Sequence, residues 1–321
     1  MVLVWCVGVL VVVALVIRVV HRGRSGRCRC TNTMEGKTVI ITGASAGIGK
    51  ETALDIAKRG ARVILACRNI TKAQLVADNI IAESGNKNLV VRCIDTTDLN
   101  SVRNFAKETL QIESRIDVLI NNAGIGGSPV RKVTSDGLES TMAANHYGHF
   151  LLTNLLLPLL KKSSPSRIVN VASSMHWKVP SFDVDDLNFE RNYSSFQSYI
   201  RTKLVNMLFN LELSQRLSDT GVTVNCLHPG TVSTEIFGKS GNKIGKMFGY
   251  VYKVLGKDAA LGAQTNIHCA VSEDLINVTG KYFSDCKEAP TSELAQDKGL
   301  AKKIWEASEE HVGLKPEEIH C

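Results

Sequence analysis

Between Thr38 and Lys50 the chain reads Thr-Val-Ile-Ile-Thr-Gly-Ala-Ser-Ala-Gly-Ile-Gly-Lys, a β-branched run broken by glycines at 43, 47 and 49. A strand that passes through a tight turn into a helix suits that spacing: the glycines permit the turn, and the helix then starts with unpaired N–H groups facing outward. The rest of the chain repeats the theme. Thr38–Thr42, Ala61–Ala66, Leu89–Ile94, Ile116–Ile120, Arg167–Ala172 and Val222–Leu227 read as strands, with helical stretches between them. The first helix is expected from Gly47 to Arg59, closed by Gly60. Alternation of this kind predicts an α/β fold, a doubly wound parallel sheet of Rossmann type. No linker or repeat interrupts residues 35–321, which are read as one domain.

The glycine turn, placed after a first strand, favours a dinucleotide. Gly43, Ser45, Gly47, Ile48 and Gly49 are expected to line it. A site that selects NAD places a carboxylate on the adenosine ribose at the end of the second strand. Here that strand ends Ala66-Cys67-Arg68-Asn69, so Arg68 is set to meet a 2′-phosphate and NADP(H) is the expected cofactor. Asp95 follows the third strand as a candidate acceptor for the adenine amino group, with Asp98 competing for the next helix cap. Asn121-Asn122-Ala123-Gly124 follows the fourth strand and would line the same carboxyl edge of the sheet.

Tyr199 and Lys203 stand four residues apart in a helical stretch, Ser195–Leu217, and so share a face. A free phenol titrates near ~10, too high for ready proton exchange at neutrality, and a neighbouring ammonium favours the phenolate. Tyr199 can then give a proton to a carbonyl or take one from an alcohol. Ser173 and Ser174 end the fifth strand, where a hydroxyl would hold the substrate oxygen. No Gly-x-Ser-x-Gly elbow is present, which argues against a nucleophilic serine hydrolase. His176, beside Trp177, reads as a wall or loop residue without a chemical role.

Five of the seven net positive charges come from Arg18, Arg22, Arg24, Arg27 and Arg29, in a region free of acids. The basic balance is thus local and does not point to nucleic acid. It flanks Met1–Val20, an apolar run near the ~20 residues that a spanning helix needs. Residues 1–20 are read as an uncleaved membrane anchor and 21–34 as a basic tether; a cleaved signal peptide, a membrane hairpin and a surface-lying segment are the competing readings. The flanking charges place the remainder in the cytoplasm. Nine cysteines with no Cys-x-x-Cys or Cys/His ligand spacing fit a reducing compartment and predict no metal site; Cys28 and Cys30 are candidates for acylation.

Taken in order, Thr42-Gly-x3-Gly-x-Gly49, Asn121-Asn-Ala-Gly124, Ser174, Tyr199-x3-Lys203 and Pro229-Gly230 resemble the short-chain dehydrogenase/reductases over about residues 36–285. The resemblance implies that Ser174 binds the substrate oxygen, that Tyr199 is the acid/base, and that Lys203 holds the nicotinamide ribose and lowers the Tyr199 pKa. It also implies that Asn145 completes a proton relay. Pro229, Gly230, Val232 and Thr234 would contact the nicotinamide amide and diphosphate, and Gly238–Leu255 would form a lid. The hydrophobic N-terminus, Glu35-Gly-Lys37, Ala66-Cys-Arg68 and His228-Pro-Gly-Thr-Val232 look like the membrane-bound retinol dehydrogenase branch. That branch uses NADP(H) and reduces retinaldehyde or other lipophilic carbonyls. Hydroxysteroids and fatty aldehydes are the alternative substrates, and a catalytically silent scaffold is the alternative role. The expected location is the endoplasmic reticulum membrane, or else a mitochondrial or lipid-droplet surface. Dimers and tetramers are common in the family. The insert between Ser174 and Tyr199 carries Trp177, Phe182, Phe189 and Tyr193, which suits an apolar substrate wall.

Overall fold

In the computed structural model of the protein, which describes residue 23, residues 25–232 and residues 256–321, the run before the glycine turn is strand β1, Thr38–Thr42, and all five of its residues are buried. It is followed by α1 (Gly47–Lys58), β2 (Arg62–Cys67), α2 (Ile70–Ser84), β3 (Leu89–Cys93), α3 (Leu99–Ile112) and β4 (Val118–Asn121). A π-helical turn at Ala143–Tyr147 leads into α4 (Gly148–Lys162), then β5 (Ser166–Val171), α5 (Ser195–Arg216) and β6 (Val222–His228). The chain closes with α6 (Ala259–Val271), β7 (Tyr282–Ser284), β8 (Lys287–Glu288) and α7 (Lys298–Val312).

The strand order is β3-β2-β1-β4-β5-β6-β7-β8, parallel throughout except for the antiparallel edge pair β7–β8. The doubly wound parallel sheet expected from the alternation is therefore present. Strand ends differ from the apolar runs by one or two residues, because a ladder stops where its neighbour's pairing stops. The three-residue β7 and two-residue β8 carry too little periodicity to be seen in sequence.

Both faces of the sheet are covered, which explains near-continuous rather than alternating apolar strands. Ile40, Ile64, Leu119, Ile168 and Val224 pack toward α3, α4, α5 and α7, whereas Val39, Ile41, Val63, Leu65 and Ile120 pack toward α1, α2 and α6. Order reverses between β1 and β4, and the carboxyl edge at that switch is where a ligand crevice forms.

Residues 25–34 run along the domain: the Gly26 N–H bonds Asp285 Oδ1 at 2.8 Å, the Cys28 N–H bonds Gln264 Oε1 at 3.0 Å and Asn32 Nδ2 bonds the Val271 carbonyl at 3.0 Å. The apolar segment 1–20, Thr234 and the lid at Gly238–Leu255 lie outside the described residues. Among the described residues no helix is long and apolar enough to cross a membrane.

Candidate active site

The glycine turn forms a backbone cradle. Gly43 has φ +68°, and a Cβ there would stand 2.9 Å from the Ala123 Cα. A Cβ on Gly49 would stand 2.5 Å from the Gly43 carbonyl oxygen, so the two ends of the turn touch through backbone alone. Asn69, Asp98, Ser194, Asp258 and Asp297 cap α2, α3, α5, α6 and α7 with side-chain oxygens, and α4 continues the π-turn, whereas Ala46 begins α1 from a turn and offers it no side-chain acceptor. Its N–H groups are left for an anion from outside the chain, so the cradle fits a dinucleotide pyrophosphate.

Thr42 clamps the next turn to this one. Its Oγ1 accepts from the N–H groups of Asn122 and Ala123, both at 2.9 Å, and Asn122 Nδ2 donates to the Thr42 carbonyl at 2.8 Å. With its lone pairs so engaged, the hydroxyl donates to His149 Nε2 at 2.9 Å, and the His149 Nδ1–H then faces the Asn145 carbonyl at 3.3 Å. Burial pushes His149 down to about 4, which keeps it neutral for this role. A single buried imidazole thus joins the cofactor turn to Asn145. The Asn145 side chain accepts from the Ile125 N–H at 2.8 Å and donates to the Ile125 carbonyl at 3.0 Å and to Thr202 Oγ1 at 3.1 Å, tying the post-β4 loop to α5. Its place in the π-turn suits this, since such turns often sit at functional positions.

Gly124, Asn145 and Lys203 converge. A Cβ on Gly124 would approach Asn145 Oδ1 at 3.3 Å and Lys203 Nζ at 3.9 Å. Lys203 is buried, donates to the Val171 carbonyl at 3.1 Å, and is pushed down to about 8 by that burial. Its Nζ lies 5.6 Å from the centre of the Tyr199 ring, over its face. Burial dominates at the phenol: Tyr199 is pushed up to about 12, opposed by a side-chain hydrogen bond with Ser173. The Lys203 ammonium is directed to the Val171 carbonyl, and burial outweighs the Ser173 bond at the phenol.

The serine that meets Tyr199 is therefore Ser173, which is buried, and not Ser174, which is exposed. The family resemblance points to Ser174, the second of two adjacent serines, but nothing local distinguishes them, since the turn after β5 decides which hydroxyl faces the crevice. Ser173 is also held from behind. The ring of His176 contacts the Ser173 carbonyl through Nδ1 at 2.7 Å and accepts from the Ser292 N–H through Nε2 at 3.3 Å, so it clamps this turn. Replacing Ser173 by Ala is expected to lower kcat/KM by about 10²-fold, while Ser174→Ala stays within about twofold, in steady-state assays of the full chain. A large loss for Ser174→Ala with Ser173→Ala near the parent would return the assignment to Ser174.

Arg68 and Asp95 meet at the carboxyl ends of β2 and β3, Nη1 to Oδ2 at 3.5 Å, with the guanidinium 73% exposed and so available to a ligand. Asp95 also accepts from the Thr97 N–H and hydroxyl, while Asp98 caps α3. Ser45 reaches the Cys67 thiol beside them, and Ile48 is buried. On the other side, Val232 and Ile48 pack against Gly262, and Gly230, at φ +90°, stands over the Lys257 side chain. Lys257 is itself buried in an ion pair with Asp285 at 2.6 Å. Pro229 lies between His228 and Gly230 on this rim.

The aromatic insert departs from expectation. Phe189 is buried, Phe182 and Phe189 both lie 4.9 Å beneath the Arg201 guanidinium, and the Tyr193 hydroxyl donates to the Ser128 carbonyl at 2.6 Å. These three anchor the insert to α5 and the core. Trp177 alone of the four stays largely exposed, joined by Phe196 at the start of α5.

Comparison with known proteins agrees with this geometry. The short chain dehydrogenase family model matches residues 37–245. The chain is 44% identical over 296 residues to human Retinol dehydrogenase 13, covering 90% of this chain and 88% of that one. It is 46% identical over 297 residues to human Retinol dehydrogenase 14, covering 88% of each. Among solved structures, an uncharacterized protein from Mycobacterium paratuberculosis superposes with a TM-score of 0.72 at 33% identity, over 90% of this chain and 98% of that one. An NAD(P) dependent gluconate 5-dehydrogenase from Beutenbergia cavernae, solved with NADP, shares the fold with a TM-score of 0.63 at 24% identity, over 79% of this chain and 96% of that one.

Proposed function

The chain belongs to the short chain dehydrogenase family, in its retinol dehydrogenase-like branch, and from that premise we propose that it is an NADP(H)-dependent oxidoreductase reducing retinaldehyde or a similar lipophilic carbonyl to the alcohol. The observation that carries the reading is the meeting of Tyr199, Ser173 and Lys203 at the sheet edge next to the glycine cradle. A nicotinamide cofactor, when bound, supplies the hydride. Of the chain's own groups, the Ser173 hydroxyl donates a hydrogen bond to the carbonyl oxygen and the Tyr199 phenol gives that oxygen its proton. Burial keeps the phenol protonated, which suits it to the reductive direction. Lys203 holds the ribose, and Asn145 fixes the loop beneath it.

The choice of NADP(H) rests on Arg68, at the end of β2 where a ribose-binding carboxylate would otherwise stand. Purified full-length protein is expected to oxidise NADPH with retinaldehyde faster than with steroid ketones or long-chain aldehydes. Arg68→Ala should lower the NADPH-over-NADH preference at least about tenfold. Faster turnover of the unaltered protein with NADH would overturn both the Arg68 role and the reductive direction. We place residues 1–20 in a membrane with the catalytic domain on the cytoplasmic side; glycan on the exposed sequons at Asn69, Asn192 or Asn277 would reverse that topology. Self-association is part of the same proposal, by likeness to the family.

A further inference from the structure

We propose that Cys28, Cys30 and His268 form a zinc site that staples the segment after the N-terminal apolar run to helix α6. One ligand atom from each, the two thiol sulfurs and an imidazole nitrogen, lie within 4.8 Å of one another, and all three residues are half-buried. Tetrahedral zinc needs sulfur at ~2.3 Å and nitrogen at ~2.0 Å, so ligands a little under 4 Å apart, and a small contraction reaches that geometry. One hydrogen bond already sets it: the Cys28 N–H to Gln264 Oε1 bond, at 3.0 Å, spans 236 residues of chain and holds the Cys-x-Cys segment against the helix that carries His268.

The donor set selects the metal: two soft sulfurs and an imidazole nitrogen suit zinc better than a hard ion that takes oxygen ligands. Two thiolates, a neutral imidazole and Zn²⁺ sum to zero. Binding releases two thiol protons to solvent and changes no oxidation state. The fourth position falls to solvent or to a side chain of the cleft lined by Cys30 and His268, where Asp274 and Cys286 also sit. The active site uses none of these residues. Both cysteines are free thiols.

The test is metal content of the full-length protein purified under reductant without chelator. About one zinc per chain, retained on dialysis, is expected, and Co²⁺ in its place should give a near-ultraviolet thiolate-to-cobalt charge-transfer band. Cys28→Ser/Cys30→Ser and His268→Gln should each lose the bound zinc. Removing the metal should speed tryptic cleavage at Arg27 and Arg29 by about tenfold, since a bound ligand holds the closed segment. Less than ~0.1 zinc per chain with no cobalt band, or metal kept by the double serine variant, would overturn the site. Should a variant fail to fold, the cobalt titration of the unaltered protein decides.

Discussion

Tyr199→Phe is expected to lower kcat/KM for carbonyl reduction by about 10²–10⁴-fold, because it removes the proton donor and leaves the ring in place. Tyr199 is 7% exposed, and its hydroxyl is engaged by Ser173. The structural cost is one buried hydrogen bond, about 1 kcal/mol. NADPH affinity, read by fluorescence, should stay within about threefold, since the cradle at Gly43 and Gly49 and the Arg68–Asp95 pair are untouched. A split of this kind, with chemistry lost and cofactor retained, separates a general acid from a residue that merely supports the fold. Full biological activity in the Phe variant would revive the scaffold reading.

Lys203→Met should inactivate the enzyme and stabilise the fold. The ammonium is 6% exposed, and burial moves it from 10.5 to about 8. Between those values the unfolded chain binds more protons than the folded one, so stability rises with pH across that window. The penalty is absent above the unfolded value, grows as pH falls, and is complete below about 8. Its size at neutral pH is roughly 3 kcal/mol, less about 1 kcal/mol for the lost bond to the Val171 carbonyl. Urea unfolding at pH 7 is therefore expected to favour the Met variant by about 1–2 kcal/mol, with the gap closing near pH 10. In the unaltered enzyme, turnover should fall as pH rises through about 8, where Lys203 loses its charge. A Met variant less stable than the parent at pH 7 would show that the ammonium is not held against its will.

Much of this was legible in the chain. Val39 to Ile41 and the runs like it are apolar on both faces because helices cover both sides of a parallel sheet, so strand order along the sequence could be read directly. Gly43, Gly47 and Gly49 are constrained by backbone geometry within a few residues, and the turn they predict is present. Tyr199 and Lys203 share a face because helix pitch puts them there.

Other features were not legible, and each involves a choice made at a distance. Thr42 and His149 look like a strand-end threonine and a helix histidine until the π-turn brings the ring to 2.9 Å from the hydroxyl. The insert aromatics suggested a substrate wall, but Arg201, reaching from α5, takes Phe182 and Phe189 for its own packing.

What the sequence alone determined is whatever depends on period and local geometry: the strand–helix alternation, the cofactor turn, the missing carboxylate at Arg68, and the Tyr199–Lys203 pair. Only the tertiary structure decided which of two adjacent serines meets Tyr199, which way the Lys203 ammonium points, and that Cys28, Cys30 and His268 come together despite having no ligand spacing in the chain. The physical reason is range. Period and turn chemistry act over a few residues, whereas side-chain meeting points are set by how the sheet stacks elements far apart in sequence, and no local pattern records that.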